Sequence, residues 1–573
     1  MRPAGLASVL ALILLAAVAC RPQPPVRLAQ PPADRHAPFN YVGTKAMVVA
    51  AHPLAAEAGR DMLKRGGNAV DAAVTTAFTL NAVEPFASGI GGGGFMVLYL
   101  AKTKKVTVVN FREQAPAAAT PTMFREKGDA MDEWRTARGT AVGVPGMLAG
   151  WAYALRKYGT KTLAETAARA IEIAERGFPV SSTFSAINKD EYEKLLRNAG
   201  EATCYLNQGI PYEPGDVLRN PDLARTLKSI AAGDIDAFYK GDIARKIVAA
   251  VHDKGGVMSL ADLENYRPLE VEPVLGIYKG LTIYAAPPPA AGGLHILQLL
   301  NIAEPWPLKA WGHNSAPYIH HLSEALRFLF ADKDRYDADP GFTPMTLGSL
   351  LSAEYAARVR NGIRPDRIAG SYPFSRLDRL QDREGNTTHV GVIDPDGNIV
   401  ALTQSINDFF GTGIVPEGTG FLLNDHMADF STDPASLNAP NPGRRPVSNM
   451  GPLIVLKDGR PVLTLGSPGG TRIFPTLSQI ILNLVEFGMS LDEAIEAPRF
   501  FTSSANGRPG VLAVEPRISE SVLKALEQMG HTISLKEPYD KYFGGAQGVM
   551  ILRDKHVIHG GADSRRDGVG AGY

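Results

Sequence analysis

The chain has 573 residues, 45% of them hydrophobic and 21% charged, with Lys plus Arg equal to Asp plus Glu at 59 each. That balance excludes a strongly basic surface for nucleic acid or an anionic membrane. No C-x-x-C, H-E-x-x-H or other metal-ligand spacing occurs, so neither a metal nor a cofactor is expected.

Length alone suggests three or four domains. At the N-terminus Arg2 precedes an apolar run, Leu6 to Val18, too short for a membrane span, which reads as an export signal over residues 1–19. Ala17-Val18-Ala19-Cys20 resembles a lipoprotein box with Cys20 as the lipidated first residue; the alternative is a plain signal peptide. A Pro-rich tether at 20–40 follows. The expectation is a periplasmic protein touching the membrane only through its N-terminal lipid. Cys204, in a polar stretch with no neighbouring His, reads as a structural or incidental cysteine.

Pro53 to Arg65 is predicted to be a helix stopped by Gly66-Gly67, and Asn68 to cap a second, buried helix through Val83. Gly89 to Gly94 satisfies G-x-G-x-x-G, but a helix precedes it and a strand follows, the reverse of the dinucleotide-binding context. Close backbone packing is the better reading. Phe95–Leu100 and Val106–Phe111 are predicted to pair, delivering Arg112 and Glu113. Residues from about 145 to 380 read mostly as amphipathic helices, with a rigid break at Pro287–Gly293. Thr388–Ile393, a turn at Asp394–Asn398, and Ile399–Ser405 form a hairpin. A second hairpin covers Leu453–Gly466, and a helix runs from about Ile473 to Phe487 with Gly488 at its end. Strands at both ends with helices outside them imply stacked sheets flanked by helices, assembled from distant parts of one chain.

Three places could carry chemistry. Thr387, at the head of the first hairpin, is either an ordinary strand residue or the first residue of a new chain made by self-cleavage after Asn386. In the second case its hydroxyl is a nucleophile and its own α-amine the base. Gly469 and Gly470 precede a helix and read as a tight turn or an oxyanion site. Ser467 is not a nucleophile elbow, because Leu465 stands where glycine is needed. Arg112, Asn407 and Asp429 could recognise an amino-acid-like ligand, or could be surface and capping residues. The sequence alone does not bring Arg112 near Thr387.

The blocks GGNAVDAAVTTAFTLNAVEP, SGIGGGGFMVLYL, NFREQAP, PPPAAGGLHILQLLNI, FADKDRYDADP, TTHVGVIDPDGN, FGTGIV, LLNDHMADF, RPVSNM, GSPGGTRI and GAGY join these places. In that order they resemble the γ-glutamyltranspeptidase (glutathione hydrolase) family from about Ala46 to Tyr573. The resemblance implies an α+β fold, the four-layer αββα sandwich of N-terminal-nucleophile hydrolases. A large subunit at 41–386 and a small one at 387–573 would then form a single interleaved domain, fewer than length suggests.

Thr387 would be the processing and then the catalytic nucleophile, its freed α-amine having a reference pKa of about 7.7–8. Ser405 stands where members usually carry threonine beside the nucleophile. Gly469 and Gly470 match the oxyanion hole, Arg112 and Ser448 the site for the substrate α-carboxylate, and Asn407 and Asp429 the site for its α-amino group. The implied partners are γ-glutamyl compounds such as glutathione, amino-acid or peptide acceptors, and the chain's own two subunits.

The chain also departs from the pattern. Gly391 replaces a small hydroxyl residue. His426 stands where many members place Gln or Glu, and Asn449 where they place a second serine; both remain substrate-binding candidates. A protonated His426 would repel a substrate ammonium. Ser431 to Arg444 is short, so the lid of some bacterial relatives is expected to be absent and the pocket open to bulkier substrates. A second reading is therefore an amidase of the same fold acting on another acyl group, cephalosporin acylase-like or poly-γ-glutamate-processing. A third is a lipid-anchored binding protein that keeps the fold without activity.

Overall fold

A computed structural model describes residues 40–373, 386–505 and 507–573 of the chain. The signal segment, Cys20 and the tether to residue 39 lie outside the described residues.

The first helix pair forms where the caps predict it. Helix α1 spans Pro53–Lys64 and α2 spans Ala69–Val83. Asn68 Oδ1 accepts from the amides of Val70 and Asp71, while Asp71 Oδ2 accepts from the Asn68 amide, a reciprocal capping box. Every residue of α2 is buried, as its small, apolar composition requires.

Among the described residues, fourteen strands make two large sheets. In chain order, the first seven are β1 (Asn40–Gly43), β2 (Met47–Ala50), β3 (Gly93–Leu100), β4 (Lys105–Asn110), β5 (Leu269–Val271), β6 (Val274–Tyr278) and β7 (Leu281–Ala285). Beyond residue 385 come β8 (Asn386–Ile393), β9 (Ile399–Asn407), β10 (Leu453–Lys457), β11 (Arg460–Gly466), β12 (Gln547–Leu552), β13 (Val557–Ala562) and β14 (Val569–Gly572). One sheet runs β1-β13-β12-β11-β10-β7-β6 and the other β14-β2-β8-β9-β3-β4-β5. Strands from before and after residue 386 thus lie side by side in both sheets, so each sheet needs both parts of the chain.

Between the sheets lies an apolar layer that includes Val49, Phe95, Val97, Ile393, Ala401, Ile454 and Val549. Outside one sheet, α1 and α2 share a core with Val390, Val392, Val400 and Leu402. Outside the other, helices Ala291–Ala303, Ala316–Tyr336 and Ile473–Glu486 pack over Ile283, Leu453 and Leu465. The layers are helix, sheet, sheet, helix, which is the αββα sandwich of the N-terminal-nucleophile hydrolases.

One stretch differs from expectation. Within the region read as helical, β6 and β7 form a hairpin on the sheet edge. Lys279 and Gly280 turn it with φ of 48° and 81°, the pair of positive values that tight hairpin turns use. Its outward residues Leu275 and Ile277 are exposed yet apolar, so the polar alternation that marks a half-buried strand is missing.

Candidate active site

Thr387 sits at an irregularity of the β8–β9 pairing. Asn386 opposes Asn407 and Thr388 opposes Gln404, leaving Thr387 at a bulge between them. Both Asn386 and Thr387 are buried. The Ser405 hydroxyl donates to the carbonyl oxygen of Asn386, the residue before Thr387, and accepts from the Asn407 amide at 2.7 Å. The Asn386 side chain is clamped as well. Its Oδ1 accepts from the Thr387 amide at 3.0 Å and from Arg566 Nη1 at 2.7 Å, and its Nδ2 donates to the Phe86 carbonyl. Arg566 Nη1 also reaches the Thr387 carbonyl at 3.3 Å. A hydroxyl aimed at a buried carbonyl polarises it for attack. Arg566 carried no expectation; its only signal was proximity to the GAGY block.

The glycines of the Gly89–Gly94 loop bring backbone against this site. A Cβ at Gly92 would lie 2.1 Å from the Ser405 carbonyl oxygen, and one at Gly91 2.1 Å from that of Leu422. Close packing, as expected, is what these glycines permit.

Gly469 and Gly470 follow β11 with φ of 130° and 56°, the first a value that side chains essentially never adopt and the second one that they adopt rarely. Gly470–Arg472 forms a 3-10 turn leading into helix Ile473–Glu486. Ser467 Oγ donates to the Pro468 carbonyl at 2.7 Å, a local brace. What links this loop to β8 is His389. A Cβ at Gly466 would stand 2.1 Å from His389 Nδ1, and that nitrogen shares a 2.8 Å hydrogen bond with Thr403 Oγ1. Burial pushes the imidazole pKa down to about 3, so the ring is a neutral spacer between the strand headed by Thr387 and the glycine loop.

Of the residues expected to grip an amino-acid substrate, Asp429 pairs directly with Arg112, and His426 is linked to it through Glu113. This guanidinium, wholly buried, pairs with Glu113 Oε2 at 3.3 Å and with Asp429, and donates to the carbonyl oxygens of Pro446 and Val447 at 3.2 and 3.4 Å. The Asp429 side chain is 26% exposed, making it the solvent-facing member. Glu113 Oε1 accepts from His426 Nδ1 at 2.7 Å. Ser448 follows Val447, and its amide donates to Pro289 at 2.7 Å within the proline break. Asn449 is half-buried and, among the described residues, its Oδ1 has no partner. Asn407, at φ 80°, donates from Nδ2 to the Asp425 carbonyl at 3.3 Å. Burial, with Asp408 beside it, holds the Asp425 carboxyl well above the usual carboxylate range.

Hydrogen bonds thus lead from Asn386, next to Thr387, through Ser405 and Asn407 to the Asp425 carbonyl, and from its chain neighbour His426 through Glu113 to Arg112 and Asp429. The short segment Ser431–Arg444 braces it from behind: Asn438 donates to the Asp429 carbonyl at 2.7 Å and accepts from the Val447 amide at 3.1 Å. A cavity of about 360 Å³ adjoins, lined among others by Lys333, Ser431, Asn438 and Val447. Cys204 stands apart, its thiol pushed up to about 12 by burial, consistent with a structural role. Among the described residues no group of three His, Cys, Asp or Glu side chains could hold a metal ion.

Comparison with known proteins gives a consistent picture. A family model described as gamma-glutamyltranspeptidase matches residues 55–573. A glutathione hydrolase proenzyme of Bacillus subtilis (strain 168) is 40% identical over 547 residues, covering 93% of this chain and 92% of its own. An acylase ACY 1 proenzyme of Pseudomonas sp. (strain V22) is 39% identical over 534 residues, covering 92% and 93%. The crystal structure of a cephalosporin acylase from Bacillus halodurans matches with a TM-score of 0.83 at 30% identity, covering 96% of this chain and 99% of that one.

Proposed function

The chain belongs to the γ-glutamyltranspeptidase family, and from that premise we propose that it is a self-processing γ-glutamyl hydrolase and transferase with Thr387 as nucleophile. The observation that carries this reading is the Ser405 hydroxyl donating to the carbonyl of Asn386, immediately ahead of Thr387.

In processing, Thr387 Oγ attacks that carbonyl carbon and the acyl group moves from nitrogen to oxygen. Water then cleaves the ester, leaving a carboxylate on Asn386 and a free amine on Thr387. The products are a large subunit ending at Asn386 and a small one beginning at Thr387. In turnover the α-amine takes the Thr387 hydroxyl proton and Oγ attacks the γ-amide carbonyl. The resulting oxyanion accepts from the Gly469 and Gly470 amides, each such donor contributing about 3 kcal/mol. The amine departs with the proton, and water or an acceptor amine resolves the γ-glutamyl ester.

Substrate recognition follows from the Arg112–Asp429 pair. An incoming α-carboxylate takes the place of Asp429 on Arg112, with Ser448 and Asn449 beside it, and the released Asp429 meets the α-ammonium together with Asn407. One ion pair becomes two, which favours a zwitterionic end group over a neutral one. Export as a Cys20-lipidated periplasmic protein belongs to the same proposal and is tested by globomycin sensitivity of signal cleavage.

N-terminal sequencing of the purified protein should find a polypeptide beginning at Thr387, and Thr387→Ala should remain one chain. A wild-type protein that stays uncut overturns the proposal. A second reading, an amidase for another acyl group, is favoured by His426 and by the likeness to acylases. Clear preference for glutaryl amides over glutathione and γ-glutamyl anilides would select it.

A further inference from the structure

Self-cleavage and turnover leave one charged group at the scissile bond without a task. Arg566 Nη1 donates to two oxygens, Asn386 Oδ1 at 2.7 Å and the Thr387 carbonyl at 3.3 Å. The first belongs to the residue before the Asn386–Thr387 bond and the second to the residue after it, so a single nitrogen spans that bond. The Asn386 side chain is itself folded back onto the bond. Its Oδ1 accepts at 3.0 Å from the Thr387 amide, whose nitrogen cleavage releases, and its Nδ2 donates to the Phe86 carbonyl. The scissile carbonyl meanwhile receives the Ser405 hydroxyl.

The guanidinium is fixed in this place by what packs on its stem. Arg566 is buried, and a Cβ at Gly545 would lie 2.9 Å from its Cγ and Cδ, so that glycine is what leaves room for the side chain. The head stands 5.7 Å from the centre of the Phe409 ring, and the Arg566 amide donates to the Asp563 carbonyl at 3.3 Å. A buried cation is costly unless its donors are used. Two uses compete here: the oxygens flanking the scissile bond, and the buried carboxyl of Glu84, which lies close enough for Arg566 to act on it.

We infer that Arg566 is a positioning residue for self-cleavage that acts through the Asn386 side chain: bracketing the scissile peptide, it keeps the Asn386 carbonyl carbon in reach of the Thr387 hydroxyl, a role that rests on the self-processing reading of Thr387.

The step that Arg566 serves balances within the chain. A bond forms between Thr387 Oγ and the Asn386 carbonyl carbon, the carbon–nitrogen bond breaks, and the hydroxyl proton ends on the Thr387 nitrogen, leaving an ester. The ring closed on the way contains Oγ, the carbonyl carbon, the nitrogen, Cα and Cβ. So small a ring closes only when the peptide plane and the threonine rotamer bring Oγ over the carbonyl carbon. A displacement of about 1 Å from such a geometry can cost about a hundredfold in rate. At the bulge between Asn386 and Thr388 the sheet ladder does not set that plane, so side chains must. Asn386 ends on the large subunit, and the bracket across the bond therefore exists only before the cut.

The test is a double-mutant cycle on the rate of self-cleavage, followed as conversion of the full chain into two bands on a denaturing gel. Arg566→Met and Asn386→Ala should each slow conversion by at least about tenfold. The double variant should be slower than the slower single by no more than about twofold, because losing either end breaks the same bracket. Both bonds come from one nitrogen, which an ammonium can replace, so Arg566→Lys should stay within about fivefold of the wild-type rate. Thermal midpoints of the same substitutions in the uncut Thr387→Ala chain separate slow cleavage from poor folding. Cleavage of Arg566→Met at the wild-type rate overturns the inference, as does Arg566→Lys cutting no faster than Arg566→Met. Single effects that multiply in the double variant overturn it too, and make Arg566 a partner of Glu84 alone. Should Arg566→Met not fold, Asn386→Ala decides, and wild-type cleavage there removes the handle through which Arg566 acts. A wild-type chain that stays uncut overturns instead the self-processing reading itself.

Discussion

Arg112 holds two carboxylates in a fully buried position, Glu113 on one side and Asp429 on the other. Replacing it by methionine keeps volume but leaves Glu113 as an uncompensated buried charge, a change that typically costs about 3–5 kcal/mol. Arg112→Met should therefore lower the thermal midpoint and, where folded protein survives, reduce kcat/KM by at least about a hundredfold with KM raised. Unchanged KM would remove Arg112 from substrate binding. Ser405 acts on a different step. Without its hydroxyl the Asn386 carbonyl loses its donor, so Ser405→Ala should slow self-cleavage by about a hundredfold or more, a loss of roughly 3 kcal/mol, followed as band conversion on a denaturing gel. Thr387, Gly469 and Gly470 stood out in the sequence as the head of a strand and a glycine turn before a helix, features that are local, and only the family resemblance selected roles for them. The meeting of Arg112 with Asp429 was not legible there, since 317 residues separate them and only the folded sheets bring them together. Arg566 escaped for the same reason, its partners Asn386 and Thr387 being remote in the chain.

At the scale of elements, Asp71 does more than close a capping box. Its carboxylate also accepts from the amides of Thr160 and Lys161 and from the Thr160 hydroxyl, tying α2 to a distant loop. A lost cap alone costs about 1 kcal/mol, but Asp71→Ala also removes these part-buried bonds to an exposed loop and should cost roughly 2–3 kcal/mol in urea unfolding. Asn68→Ala, which removes one half of the box, should cost less; equal losses would show that the loop contacts are idle. Across the two sheets, Gly466 and His389 touch so closely that any side chain at 466 must push the imidazole away. Gly466→Ala should therefore impair self-cleavage and turnover more than its modest size implies. Hairpins and caps were readable because their turn residues are local, as at Asp394–Asn398. The β6–β7 hairpin escaped because an edge strand with exposed Leu275 and Ile277 imitates neither a half-buried strand nor a helix.

For the molecule as a whole, burial of titratable groups sets the response to acid. His389 and His531 are buried, and desolvation holds each near pKa 3, with Arg327 adding to the effect at His531. Between pH 6.5 and about 3 the unfolded chain binds one more proton at each than the folded one, so each removes about 1.4 kcal/mol of stability per pH unit on acidification. Glu84 works the other way. Burial raises its carboxyl to about 7 from 4.5, so between those values the folded chain holds the extra proton and gains stability as pH falls. His52, which burial lowers to about 4, acts in the same direction as the two histidines; from pH 6.5 to 4.5 Glu84 offsets about 1.4 kcal/mol per unit of the combined loss, and below pH 4.5 that offset ends and the decline steepens. Stability of the uncut Thr387→Ala chain, measured as ΔG in urea against pH, should show that break near pH 4.5. Glu84→Gln removes the offset, so its decline should already run at the steeper slope from pH 6.5 and match the parent slope below pH 4.5. Identical slopes for the two proteins between pH 6.5 and 4.5 would mean that Glu84 is ionised in the fold, and the buried polar environment behind Thr387 would then have to supply it with a partner.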